Sequence, residues 1–290
     1  MSVTKIKFEL FRYQLLTSDQ KMVQFFSDMK PAEDVREKKN EYFFEALRSI
    51  NEWKDPAKKL EIISETIYSD DDFYVCKIGA RKTLKYTDEN FQENTTDDWP
   101  HVTVVVNNKP NVQIIAVSPN TKAFSSSNRV VGVMIETLQD ILKSYGLVVY
   151  ADPLFDKKRF WEIVEKHKGK IYSVKFEMIS PNISNIRKTL DKQVLLARDE
   201  CNAKKTLVEL EADKGAALTL NEDNEYISGM VDYSSEGGGE IKIRARGERV
   251  ITTKKQPRSV TVSVRDEDTQ GDFFKETATK LFDKLKKIIK

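Results

Sequence analysis

The residues best spaced for chemistry lie in the C-terminal third. Asp232 is followed by Glu240, Ile241 and Lys242. An Asp with a Glu-x-Lys on a neighbouring strand is the arrangement by which restriction-type nucleases hold Mg²⁺ and position the attacking water, and on a strand the i, i+2 spacing puts Glu240 and Lys242 on one face. The same strand has a second reading. Lys242, Arg244 and Arg246 alternate with Ile241, Ile243 and Ala245, so three cations about 6.8 Å apart, two strand rises, share an exposed face. Arg249, Lys254, Lys255 and Arg258 follow, and Arg187, Lys188 and Lys192 add to the basic set from an earlier helical stretch. Cations that track a phosphate ladder need no reactive group, because backbone contacts dominate affinity for nucleic acid. These residues are the expected nucleic-acid surface, and the expected partner is duplex DNA bound with little sequence preference. Neither a helix-turn-helix nor an aromatic platform for single strands is present.

Other reactive types are sparse. His101 and His167 stand alone, at a strand start and a helix end, where surface or capping roles suffice. Cys76 and Cys201 have no metal-ligand spacing and read as reduced thiols. Asp70, Asp71 and Asp72 are consecutive, whereas calcium loops place ligands at alternate positions. Gly237, Gly238 and Gly239 precede a strand without a Lys-Ser/Thr partner, so a flexible turn is expected and not a phosphate loop. In a chain with 32% charged residues the Asp…Glu-x-Lys pattern arises readily by chance. No catalytic residue, metal or cofactor is therefore assigned, and the Mg²⁺-dependent nuclease stands as an alternative beside a non-enzymatic interaction subunit.

The elements that must position these residues follow from periodicity. Ile6, Phe8 and Leu10 alternate as one face of a first strand. Helical spacing marks 18–29, 41–50, the strongly apolar 131–145 behind Ser126 or Ser127 as cap and ahead of Gly146, and 156–167 with Asp156 as cap. It recurs at 181–201, at 222–231 and at 273–290. Strand patterns lie in 60–87 around the acidic turn, in the pair 101–106 and 112–117, and in 147–151, 170–179, 206–210, 240–251 and 260–264. The reading is an α+β protein of largely antiparallel sheets packed with amphipathic helices. A boundary at the 94–100 loop divides it into an N-terminal domain, 1–96, and a C-terminal one with a basic face, 97–290.

Composition bounds the class. With 290 residues, 39% hydrophobic, only 11 Gly and 8 Pro, and no run of 18 apolar residues, this is a folded chain without a membrane span or long linkers. Its charged N-terminal stretch lacks signal-peptide features, and a cytoplasmic location is expected. The net charge of +2 conceals sorting: residues 157–205 carry +7, 206–235 carry −6 and 236–265 carry +5. Two basic blocks brought together by folding would form a phosphate-attracting face. If the acidic block at 209–232 folded over them instead, an interaction subunit would be favoured.

In the order of its elements the last 190 residues resemble the RexA-type phage exclusion proteins and prophage-defence proteins of similar layout: a hydrophobic helix at 131–145, a long basic strand at 241–249, a strand at 260–264 and a charged amphipathic helix at 273–290. The resemblance implies a homodimeric, sequence-tolerant DNA-binding protein acting in bacterial or prophage defence with a partner protein. It transfers no functional residue.

Overall fold

The computed structural model describes residues 3–17, 32–57, 59–179, 203 and 205–265. The helical patterns at 18–29, 181–201 and 273–290, and with them Arg187, Lys188 and Lys192, lie outside the described residues.

The fold is α+β, with antiparallel sheets and packing helices. β1 (Val3–Thr17) organises the larger sheet. Its first half pairs with β13 (Ser259–Arg265), residues 9–12 with β7 (Ile114–Val117), and its second half with β8 (Leu147–Pro153). From β7 the sheet continues through β6 (His101–Asn107) and β3 (Phe73–Ala80) to β2 (Ile62–Ser69). Both faces are apolar. Phe11, Tyr13 and Leu15 join the main core, which α1 (Ala32–Arg48) and α2 (Ser127–Leu142) cover, while Phe8 and Leu10 turn to a second cluster with Val75, Val105 and Val260. The expected face of β1 is thus present, and the opposite face is apolar in its second half. α2 starts as expected, with the Ser126 hydroxyl accepting from Arg129 N–H. After one 3₁₀ turn the chain leaves through Gly146 at φ 68. No helix among the described residues is long and apolar enough to cross a membrane.

A four-stranded sheet, β10-β9-β11-β12, forms the second sheet. It comprises β9 (Ile171–Ile179), β10 (Lys205–Glu211), β11 (Gly239–Ala245) and β12 (Ile251–Thr252). Its inner face (Val174, Phe176, Ile241, Ile243) packs with α3 (Lys157–Lys166, capped by Asp156) and α4 (Glu225–Tyr233). A separate ribbon, β4 (Lys82–Thr87) with β5 (Glu93–Asp98), projects between β3 and β6.

Several expectations need correction. The 94–100 stretch is not a loop: most of it is β5, whose faces are both exposed, so no apolar alternation marks it. The seven-stranded sheet draws strands from both sides of residue 96. The strand expected over 240–251 ends at Ala245 and turns through Gly247 (φ 77). α1 begins nine residues before the expected start at 41, because charged residues on its open face hide the period.

The Gly237–Gly239 run is packed, not flexible. Ser234–Gly238 form a single wide turn that wedges between the two sheets. There the buried Arg12 guanidinium donates to the Glu236 carbonyl at 2.8 Å and lies 3.6 Å from its carboxylate, and the Gln14 amide donates to the Gly237 carbonyl at 3.2 Å. A Cβ on Gly237 (φ 81) would lie 2.5 Å from Arg12 Cβ, and one on Gly239 would lie 1.8 Å from the Glu177 carbonyl oxygen. Only glycine permits this approach. Gly239→Ala is therefore expected to lower unfolding free energy by at least ~3 kcal/mol. By contrast Gly169→Ala, at φ 72 with nothing within 4 Å, should cost about 1–2 kcal/mol. Urea denaturation of both variants checks this, and equal losses would contradict the close approach.

Candidate nucleic-acid interface

β11 presents the alternation read from its sequence. Ile241, Ile243 and Ala245 are buried, Lys242 is half-buried and Arg244 is exposed. The register sets Lys242 beside Lys175 and Arg244 beside Ser173 of β9. This outer face is mixed in sign and not a cationic stripe. Glu177 Oε1 receives the Lys242 ammonium at 2.9 Å and its Oε2 that of Lys205 at 2.8 Å. Lys242 also lies 3.4 Å from Glu240. Glu209 accepts from the Ser173 hydroxyl at 3.0 Å and stands 4.0 Å from Lys175. Hydrogen bonds from Lys205 and Lys242 bring the Glu177 carboxyl down to about 2.

Where the two sheets meet, the cations are also held. Lys254 sits 2.9 Å from Asp152 and 3.5 Å from Glu240, and the Thr252 hydroxyl bonds to Glu240. Burial raises the Asp152 carboxyl, with Lys254 opposing. Burial also works to lower the Lys254 ammonium, but Asp152 and Glu240 outweigh it and leave its pKa raised. Asp152, Glu177, Glu240, Lys205, Lys254 and Tyr150 line a cavity of about 230 Å³ here. Arg258 lies 3.6 Å from Glu236 and donates to the Phe155 carbonyl at 3.0 Å. Asp232 takes no part, being paired with Lys157 at 3.1 Å. The acid that shares Lys254 with Glu240 is Asp152, and each carboxylate of the group is tied to lysine. Among the described residues no group of three or more His, Cys, Asp or Glu is placed to hold a metal ion. Asp152 was not legible as a site residue, since one acid on an otherwise apolar strand carries no periodic signal.

The remaining cations gather at the opposite end of β11. Arg246 N–H bonds to the Lys170 carbonyl at 3.0 Å, and its guanidinium reaches the Ala216 carbonyl. The Leu218 N–H bonds to the Ile171 carbonyl at 2.7 Å, which brings the 212–220 loop to the same end. Arg244, Arg246 and Arg249 are joined there by exposed Lys170 and Lys214 and by Lys166 from the last turn of α3. None of these six forms an ion pair with a carboxylate among the described residues; the nearby Lys168 does, with Glu165 at 3.2 Å. Lys255 is exposed too, but it lies beyond β12, away from this end. The expected surface therefore divides: Arg244, Arg246 and Arg249 stand open, while Lys242, Lys254 and Arg258 are engaged within the fold. Lys166, Lys170 and Lys214 escaped the sequence reading because they are distant along the chain and meet only through sheet pairing.

The low Glu177 value has a sign that can be tested. A carboxyl whose folded-state pKa lies below its ordinary value of 4.5 adds stability that is complete above that pH and is lost as pH falls toward about 2. Glu177→Gln should remove that part of the acid destabilisation, so between those pH values its stability falls less steeply than the wild type's. Parallel slopes in urea titrations would contradict the pairing. Comparison of the chain with protein-family models, curated proteins and solved structures returns no match.

Proposed function

We propose that the chain binds duplex DNA, with little sequence preference, through the basic end of its four-stranded sheet. The observation that carries this reading is the group of six cations, Lys166, Lys170, Lys214, Arg244, Arg246 and Arg249, left without carboxylate partners among the described residues. Elsewhere on the same sheet lysines are matched to glutamates. Unmatched cations on rigid strand ends and glycine turns are pre-placed for phosphates and give up little internal pairing on binding. With the RexA-type resemblance of the element order, this supports reading the protein as the cytoplasmic DNA-binding component of a bacterial or prophage defence system, acting with a partner protein.

The mixed-charge outer face favours a second reading, an interaction subunit without DNA affinity. Exposed Leu207 among the matched charges of β10 suits a protein contact.

Fluorescence anisotropy with a mixed-sequence duplex separates the two. Each phosphate neutralised adds about 0.9 to the log–log salt slope, so four contacts give a slope of about −3.6. The triple variant Arg244→Glu, Arg246→Glu, Arg249→Glu is expected to lose binding for every sequence, whereas Lys255→Glu changes it little. DNA should be recovered intact with Mg²⁺ present, because the carboxylates near Lys242 are already bound by lysines. Wild-type affinity in the triple variant would sink the assignment of this end, and no binding at low salt would favour the interaction subunit.

A further inference from the structure

The β4–β5 ribbon is the part of the fold that has least reason to exist alone. Two strands with both faces in water are marginally stable, yet this ribbon is built with care at its tip. The Asp88 carboxylate accepts from the N–H groups of Asn90 and Gln92, at 2.9 and 3.0 Å, and from the Asn94 amide at 2.7 Å. The turn so fixed holds Phe91 in the left-handed region at φ 58, with 89% of its surface exposed. A bulky residue in that conformation is strained, and pointing it into water adds no burial in return. Leu84 and Tyr86, 51% and 48% exposed, stand in line on one face behind it. Around these three apolar residues are Asp88, Glu89, Glu93 and Asp98, with Asp97 held by Arg81 at 2.8 Å, against Lys82 and Lys85 within the ribbon.

The basic end of the four-stranded sheet, where the six unmatched cations outnumber the exposed acids Asp213 and Glu248, is the complement of this surface. It carries the unmatched cations described above, and beside Arg249 it exposes Val250 at 48%. We propose that the acidic, Phe91-tipped ribbon of one copy docks on the basic end of a second copy, around Arg246, Arg249 and Val250. Exchange in both directions is the arrangement that closes as a two-fold dimer. The ribbon then occupies the cations that DNA would use. That last consequence, competition between dimer and DNA, rests on the DNA-binding reading; the ribbon contact itself does not.

Sedimentation velocity on the full chain tests the contact. The wild type should be dimeric at low salt and dissociate as salt rises. Phe91→Asp should weaken association at least tenfold. Glu89→Lys with Glu93→Lys should give monomers, and so should Arg246→Glu with Arg249→Glu, while an equimolar mixture of these two double variants should form a heterodimer, because every like-charge contact becomes opposite. All five positions are exposed, and unchanged urea midpoints confirm that the variants are folded. A wild type that stays monomeric at every salt, or a mixture that fails to associate, overturns the proposal. DNA binding by such a monomer leaves the DNA reading standing, and a dimer that ignores DNA overturns that reading alone. Where the wild type is dimeric, Phe91→Asp should bind duplex DNA several-fold more tightly; unchanged affinity would overturn the competition.

Discussion

The two sheets are joined around one buried guanidinium. Arg12 enters from the middle of β1, gives a hydrogen bond to the Glu236 carbonyl, and lies within reach of a carboxylate that Arg258 also approaches. Burial lowers its pKa, with Glu236 acting against that and Arg258 adding to it, and the turn before β11 comes close enough to supply the partners that a buried charge requires. Isolated buried charge is far costlier than paired charge. That closeness needs glycine at 237 and 239. The position of β11, and hence of every cation on it, follows from how one arginine of the other sheet is satisfied.

From this joint the charges of β11 sort along its length. Near the joint the cations meet Glu236 and also Asp152, Glu177 and Glu240, the last three less exposed than the lysines that answer them and so the groups that most need pairing. At the far end the strand runs out into glycine turns, water screens the side chains, and nothing requires a partner. A sequence block of net +5 thus yields two different surfaces. One holds the fold together and the other is left for something outside it.

Legibility in the sequence followed the same division. Alternation in 170–179 and 240–245 was plain, because one face of each strand is wholly apolar. The caps at Ser126 and Asp156 and the left-handed exit at Gly146 were readable from residue type alone. β5 was not, since Glu93, Asn94, Thr95, Thr96, Asp97 and Asp98 bury nothing that would reveal a period. The pairing of Lys242 with Glu177, 65 residues away, and the arrival of Lys170 beside Arg246 are set by register, which a local pattern does not encode. The glycine run looked flexible because its packing partner, Arg12, lies more than 220 residues earlier.

The placement of β1 also matters during synthesis. Val3 pairs with Arg265 and Phe8 with Val260, so β1 must wait for a strand made some 250 residues later. Contacts of that separation form slowly, and until they do an apolar ladder edge stands open to other chains. The nascent protein therefore has a long interval in which β1 needs shielding, and the chaperone demand of this fold is set at its first strand.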